Sequence, residues 1–504
     1  MIRISKRFLP AIRSPASVLA MVCILSVPAL PHAVSAQAES SGQEVEQAVV
    51  LIEATIQRGD WFTPWQRTPI LHASGSGFLL DKGLIMTNAH VVSDAKQIIV
   101  RRNGRIAPSF ARVEFIAHDA DLALLRVDDA AFDEGVAPLE LGPMPNLRTR
   151  VRTYGYPMGG EKISRTEGVV SRVEFITYMH SGADAHIGIQ TDSAINPGNS
   201  GGPVMQDGKV VGVAFQTNTR LNDVGFFIPT PVIRRFLEDI SDGTYDGYGE
   251  LGIITSNLIN PSYREYLGLP PEATGVVVDR LIKGASAEAY VKVNDVITAI
   301  DGVPVAIDGT IDYHRYTIGL EQIAEDKQLG ETVELAIWRD RAPRTIRIPL
   351  MNYPDAERLR FRFDQLPRYV VYAGLVFMEL DQEYLKTFGN YWQSADKALL
   401  YNHFFRAAED PDFEGKRTIL ISRVLPHEVN SAYRRYANTI VATVNGLPVT
   451  DLEMIPDALK NSNSLFLVIE LEDGRKIILD REEAERAHPV ILDTYGIRQD
   501  QRLP

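Results

Sequence analysis

Three polar side chains, far apart in the chain, have the types and neighbours that acyl transfer needs. Ser200 sits in Gly198-Asn199-Ser200-Gly201-Gly202-Pro203, His90 in Thr87-Asn88-Ala89-His90-Val91, and Asp121 heads Asp121-Leu122-Ala123-Leu124-Leu125. A serine hydroxyl becomes a strong nucleophile only when an imidazole takes its proton. That imidazole in turn needs a carboxylate to fix its tautomer and stabilise imidazolium. Small Ala89 leaves the His90 ring room to reach a serine, and a carboxylate at the mouth of an apolar strand is largely desolvated. Glycines flanking Ser200 let the backbone turn tightly and approach a substrate closely. The amides of Gly198 and Ser200, with Asn199 as a third candidate, would form an oxyanion hole, each donor worth about 3 kcal/mol to the transition state.

Read alone, Gly198 to Gly202 also fits G-x-S-x-G, the elbow of α/β-hydrolases. That elbow needs a helix directly after the serine and a histidine later in the chain. Here Pro203 and the turn Gln206-Asp207-Gly208 lead into another apolar strand, and the later histidines, His314, His403, His427 and His488, lie in a different part of the sequence. The order His90, Asp121, Ser200, with steps of 31 and 79 residues, is instead that of chymotrypsin-like enzymes. Asp119 is a rival carboxylate, set farther back in the turn.

The elements that must position these residues read as strands. From about Val49 to Phe236, short runs of Val, Ile, Leu and Phe alternate with turn signals such as Asp81-Lys82-Gly83 and Asn103-Gly104, which predicts a barrel or sandwich. Pro231 to Ser241 reads as a closing helix, with Gly243 beyond its end. A Gly-, Tyr- and Asp-rich linker, 242–249, follows. The remaining half carries an internal repeat. Asp295 to Val305 matches Thr439 to Val449 at an offset of 144, and Val278 to Leu281 matches Ile421 to Val424 at 143. Two related domains, joined near Met351 to Arg368, are expected.

Arg3, Lys6, Arg7 and Arg13, the apolar run Ala16 to Val27 and the small-residue pattern Val34-Ser35-Ala36 read as a cleaved export signal. Its removal takes away four positive charges, moving the formal charge from −13 to −17, and takes away the single cysteine, Cys23. An acidic, thiol-free chain excludes a nucleic-acid role and cysteine-ligated metal.

The segments around His90, Asp121 and Ser200, together with Gly155-Tyr156-Pro157, Gly168-Val169-Val170-Ser171 and Gly225-Phe226-Phe227-Ile228-Pro229, resemble the Deg/HtrA family of serine proteases, nearest to its plant-type branch. The resemblance implies a mainly β chain. Its expected parts are a signal peptide (1–36), a chymotrypsin-like double-barrel protease domain (37–243), PDZ1 (244–352), and PDZ2 with an insertion and a C-terminal tail (353–504), the PDZ domains being α+β. It further implies ATP-independent, cofactor-free cleavage of misfolded or unfolded proteins in the periplasm, with secretion as the alternative, by trimers or multiples of trimers. A chaperone that binds chains without cutting them would not need the triad.

Ala194 and Ile195 stand where trypsin-like enzymes read the P1 side chain, so a small or aliphatic P1 residue is expected. Leu251-Gly252-Ile253 resembles the loop with which PDZ domains receive a peptide C-terminus. Asn294 replaces the family's usual glycine at a turn that Asn can also adopt. His180, Asp184 and His186 are expected in a solvated loop rather than a metal site. Trp61, Phe62 and Trp65 are expected either as trimer contacts or as half-buried core aromatics.

Overall fold

The computed structural model describes residues 42–503 other than 106, 158–159, 161, 218–224, 354–359, 390–397, 407–415 and 462–463. The expected export signal lies outside the described residues.

Twelve strands build two closed barrels, one of the two alternatives that the short apolar runs left open and the arrangement that the family resemblance implied. The first comprises β1 (Val49–Ile56), β2 (Leu71–Asp81), β3 (Leu84–Thr87), β4 (Ala95–Arg102), β5 (Ser109–Ala117) and β6 (Leu122–Val127), closed in the order β1-β2-β3-β6-β5-β4. The second comprises β7 (Arg150–Gly155), β8 (Ser164–Thr177), β9 (Ala185–Thr191), β10 (Pro203–Gln206), β11 (Lys209–Thr217) and β12 (Gly225–Pro229), in the order β10-β11-β12-β9-β8-β7. Closure leaves no unpaired strand edge in either barrel. Ile52, Phe78 and Leu122 are fully buried in the first, and Ile189, Val204 and Phe227 in the second. The closing helix spans Thr230–Asp239, then tightens to a 3-10 turn that Gly243 ends at φ +100°.

The repeat appears as two sheets of one topology. The first has β13 (Ile253–Asn257), β14 (Val276–Leu281), β15 (Val296–Ile300), β16 (Val303–Pro304), the ribbon β17 (Thr310–Tyr313) and β18 (Tyr316–Gly319), β19 (Thr332–Arg339) and β20 (Ala342–Pro349). Its order is β13-β14-β15-β19-β20, with β16 on β15. The second has β21 (Tyr369–Tyr372), β22 (Leu375–Glu379), β23 (Ile419–Val424), β24 (Thr439–Val444), β25 (Leu447–Pro448), β26 (Phe466–Leu471), β27 (Lys476–Asp480) and β28 (Gln501–Arg502), in the order β27-β26-β24-β23-β22-β21-β28. Turn chemistry repeats as well. Asn294 and Asn438 both adopt positive φ (72° and 63°) and both donate their amides to the preceding strand, to Val278 and Ile421. Asp301-Gly302 and Asn445-Gly446 form matching two-residue turns with all four φ values positive.

The two copies differ at one edge. β13 ends its sheet, whereas its counterpart β22 pairs on both sides, with β23 and with β21, which β28 covers in turn. Strand addition at that edge is open in the first copy and closed in the second.

The aromatic segment expected ahead of the first barrel instead lies between β1 and β2, and it docks on this second copy. Trp61 Nε1 donates to Asp381 Oδ2 at 3.1 Å, Trp65 meets the Tyr369 ring edge-on at 6.3 Å, and Arg423 lies 4.1 Å over Phe62. Trp61 is buried and Phe62 half-exposed, so the segment is an intramolecular tether between protease and second PDZ-type domain.

Because Asn294 holds a left-handed conformation that glycine adopts without strain, Asn294→Gly is expected to be near-neutral in chemical denaturation. Asn294→Val should cost about 1–3 kcal/mol, since a β-branched side chain resists positive φ.

Candidate active site

His90 stands on a single helical turn, Ala89–Val92, that follows β3. Asp121 immediately precedes β6 with φ +50°, a conformation that aims its carboxylate back at that turn. One oxygen accepts the His90 amide at 2.8 Å, and the other meets His90 Nδ1 at 2.7 Å. The Asn88 side chain donates to the Asp121 carbonyl at 2.8 Å, fixing the pair from behind. Asp121 is 2% exposed, while a third of the His90 side chain faces the cleft. Burial alone would push His90 down, but the charge and hydrogen bond of Asp121 hold it above the ordinary 6.5. Burial likewise opposes the Asp121 charge, yet His90 holds that carboxyl below the usual range. Each ion is stabilised by the other. Asp119, the rival carboxylate, instead accepts the Tyr245 hydroxyl at 2.6 Å and the Ala120 amide.

Ser200 lies on the loop between β9 and β10. Its hydroxyl donates to the Phe215 carbonyl at 3.2 Å rather than to His90. The loop is pinned on every side. Gly201 N–H donates to Ala214, Ala214 N–H to Gly202, and Ser76 N–H, from the first barrel, to the Ser200 carbonyl at 2.8 Å. Gly201, at φ +86°, must be glycine, since a Cβ there would collide with the Ser76 carbonyl and the Thr87 hydroxyl. Among the described residues, the Gly198 and Ser200 amides have no acceptor. Asn199 departs from the sequence-based expectation. Its amide is spent on the Asn196 carbonyl at 2.9 Å to close a turn, so it is not available as an oxyanion donor.

Beside this loop, Ile195 is buried against Gly225, where an added Cβ would lie 2.8 Å from Ile195 Cδ1. Ala194 is half-buried, and its carbonyl accepts the Thr166 hydroxyl at 3.0 Å. Ser193 is occupied elsewhere, bonding Thr153 and Thr166 inside the second barrel.

The loop between β8 and β9 is not the solvated one expected of His180, Asp184 and His186. The segment joining the two PDZ-type domains packs onto it. Arg360 chelates Asp184 at 2.6–2.9 Å, and Phe361 N–H donates to the Ser181 carbonyl at 2.8 Å. Phe363 stacks on His180 at 3.9 Å. Asp364 exchanges side-chain-to-amide bonds with Asp94 and pairs with His118 at 3.2 Å. Burial depresses His180 to about 3, so it stays neutral 6.3 Å from the His90 ring. His186 is buried in an ion pair with Glu325 and packs on Tyr178 and Tyr248.

Leu251, Gly252 and Ile253 line a cleft of about 600 Å³ between the first PDZ-type sheet and the protease domain, facing Ile282, Leu320 and Ala324. Gly252, at φ +69°, lies so close to Ala285 that no Cβ fits. This loop leads directly into β13, the open edge. Sequence reasoning missed Ser76, Phe215 and the 360–364 segment. Only Ser76 left a trace, as part of the small-residue run Ser74-Gly75-Ser76-Gly77 inside a strand.

A general base must be neutral to accept a proton. With the His90 pKa raised, kcat/KM should therefore fall as pH drops through a midpoint above 6.5. Asp121→Asn should lower kcat about 10⁴-fold and move that midpoint down, both readable from pH profiles of peptide cleavage.

A model of the trypsin-like peptidase domain matches residues 75–213, and one of the PDZ domain matches residues 360–502. Protease Do-like 2, chloroplastic, from Arabidopsis thaliana is 35% identical over 456 residues, spanning 89% of this chain and 74% of that protein. Protease Do-like 4, mitochondrial, from the same plant is 33% identical over 469 residues, spanning 93% and 87%. A probable periplasmic serine endoprotease, DegP-like, of Pseudomonas fulva is 32% identical over 289 residues, 56% of each chain. Double barrel, PDZ-type sheets and these relatives agree: the chain is a trypsin-like serine endopeptidase belonging to the Deg/HtrA family.

Proposed function

We propose that His90, Asp121 and Ser200 form the catalytic triad of a protease that cuts unfolded or misfolded proteins in the cell envelope without ATP. The observation that carries this reading is the buried Asp121–His90 pair, with both carboxylate oxygens engaged by His90, facing a glycine-framed serine loop. In the first step Ser200 Oγ turns from the Phe215 carbonyl toward His90 Nε2 and attacks the peptide carbonyl carbon as its proton passes to the imidazole. The Gly198 and Ser200 amides hold the oxyanion. Collapse breaks the C–N bond, and His90 gives the proton to the leaving amine. Water, activated by the same imidazole, then hydrolyses the acyl-enzyme.

Ile195 packed beside Gly225, with no carboxylate at Ala194, supports an apolar P1 site that favours Ala, Val or Ile over Lys, Arg or Phe. The open edge of β13 beside Leu251, Gly252 and Ile253 suits a peptide C-terminus added as a strand, whereas β21 fills the matching edge of the second copy. On this reading the first PDZ domain captures peptide and the second is architectural. The N-terminal signal pattern and the thiol-free remainder of the chain favour the periplasm, and the family's habit favours trimers or their multiples.

Casein digested by purified protein and analysed by mass spectrometry should yield fragments ending mainly in Val, Ala or Ile, with activity reduced at least about 10³-fold in Ser200→Ala. Equal cleavage by the two proteins would overturn the assignment. For the PDZ domains, a peptide with a free C-terminal carboxylate should lose affinity at least about tenfold when Gly252 is replaced by Val, read by calorimetry. Unchanged affinity would move the binding site elsewhere.

A further inference from the structure

Ser76 is buried completely at the junction of the two barrels, and each of its polar groups is in use. Its hydroxyl donates to the Gly198 carbonyl at 2.7 Å and accepts the Tyr156 amide at 2.8 Å. Its own amide donates to the Ser200 carbonyl at 2.8 Å, and its carbonyl accepts the Thr87 hydroxyl at 2.7 Å. Thr87 lies at the end of β3, three residues before His90. One residue thus ties the strand leading to His90 to both carbonyls that bracket the Asn199–Ser200 peptide.

The packing does not require a hydroxyl here. The neighbouring positions are glycines and Thr87, and alanine would fill the same strand position with nearly the same volume. A buried hydroxyl costs stability unless its bonds are made, so a fully bonded one points to the groups it orients. Gly198, at φ +99°, belongs to the least restrained residue type, and the peptides on either side of it can rotate at little steric cost. The Gly198–Asn199 and Ser200–Gly201 peptides are held against β2 through their carbonyls, and the Gly198 and Ser200 amides, which belong to the adjoining peptides, have no acceptor among the described residues. Gly155 completes the cradle, since a Cβ there would lie 2.8–2.9 Å from Asn199 Cα and Ser76 Oγ.

We infer that Ser76 is a positioning residue for the oxyanion hole, fixing through the Gly198 and Ser200 carbonyls the peptide planes that flank the Gly198 and Ser200 amides, so that those donors are preorganised before substrate arrives. This rests on the triad reading above. A hole left free to rotate would still bind substrate but would stabilise the tetrahedral intermediate less, so the loss should fall on kcat rather than KM.

The test compares Ser76→Ala, Ser76→Cys and Ser76→Thr with the parent protein. Ser76→Ala should lower kcat about 10- to 100-fold with KM changed by less than about twofold. A peptide boronate, whose tetrahedral adduct carries the oxyanion, should lose affinity by a similar factor. Ser76→Cys keeps the volume and gives up the strong donor, so it should follow Ser76→Ala even if alanine impairs folding. Ser76→Thr, which retains the hydroxyl, should recover most of kcat. Melting curves accompany each variant. Loss of activity merely in proportion to the unfolded fraction, or unchanged kcat and boronate affinity in both the alanine and cysteine variants, would overturn the inference. Ser200→Ala serves as the separate control: if it cuts as well as the parent, the triad reading has failed rather than the role of Ser76.

Discussion

Everything in the active centre depends on a carboxylate that water cannot reach. Asp121 is buried at the head of β6 in a left-handed conformation, a placement that would be costly without partners. The cost is offset because both oxygens are satisfied by one residue, His90, through its amide and its ring. The double contact fixes the tautomer, leaves the far nitrogen toward the cleft, and makes imidazolium affordable when a proton arrives. Removing either partner would leave an uncompensated charge or an unoriented ring.

Around this pair, the molecule is assembled so that distant segments meet at the same place. The first barrel supplies His90, Asp121 and Ser76, and the second supplies Ser200 and the Phe215 carbonyl. The repeated domains reach in as well: Glu325, on a short helix of the first, pairs with His186, and the 360–364 segment leading to the second covers His180 and clasps Asp184. One continuous apolar cluster runs from Ile52 and Phe78 through Phe215 and Ile228 to Val278 and Ile337, joining the first barrel and part of the second to the first repeated sheet, while Ile189, Val204 and Phe227 form a separate cluster in the second barrel. The second PDZ-type domain has its own core but is tied to the β1–β2 connection of the first barrel, where Trp61 bonds Asp381 and Arg502 bonds the Pro64 carbonyl.

Much of this was legible in the chain because it follows from short-range rules. Apolar runs punctuated by Gly and Asn turns gave the strands, and the nearly constant offsets of two matching stretches, 144 and 143, gave the repeat. His90, Asp121 and Ser200 stood out because their neighbours are as constrained as they are. What escaped were contacts between residues remote in sequence. Nothing local marks Phe363 as the cover of His180, or Trp61 as a ligand of Asp381, since only tertiary packing brings them together. The polar look of the segment holding His180, Asp184 and His186, a loop running into β9, was misleading for the same reason: its partners, Arg360, Phe363 and Glu325, lie more than a hundred residues away. The Asn199 amide was lost as a donor to a bond only three residues away, which depends on the detailed path of the loop and not on its composition.

The central claim is that one serine of this chain is made nucleophilic by His90. A fluorophosphonate probe, which phosphonylates only activated serines, followed by peptide mapping, addresses it directly. A single stoichiometric adduct on Ser200 is expected, absent when His90 is replaced by alanine. An adduct on another serine, such as Ser193, or an unlabelled Ser200 in a preparation that still cleaves protein, would contradict it.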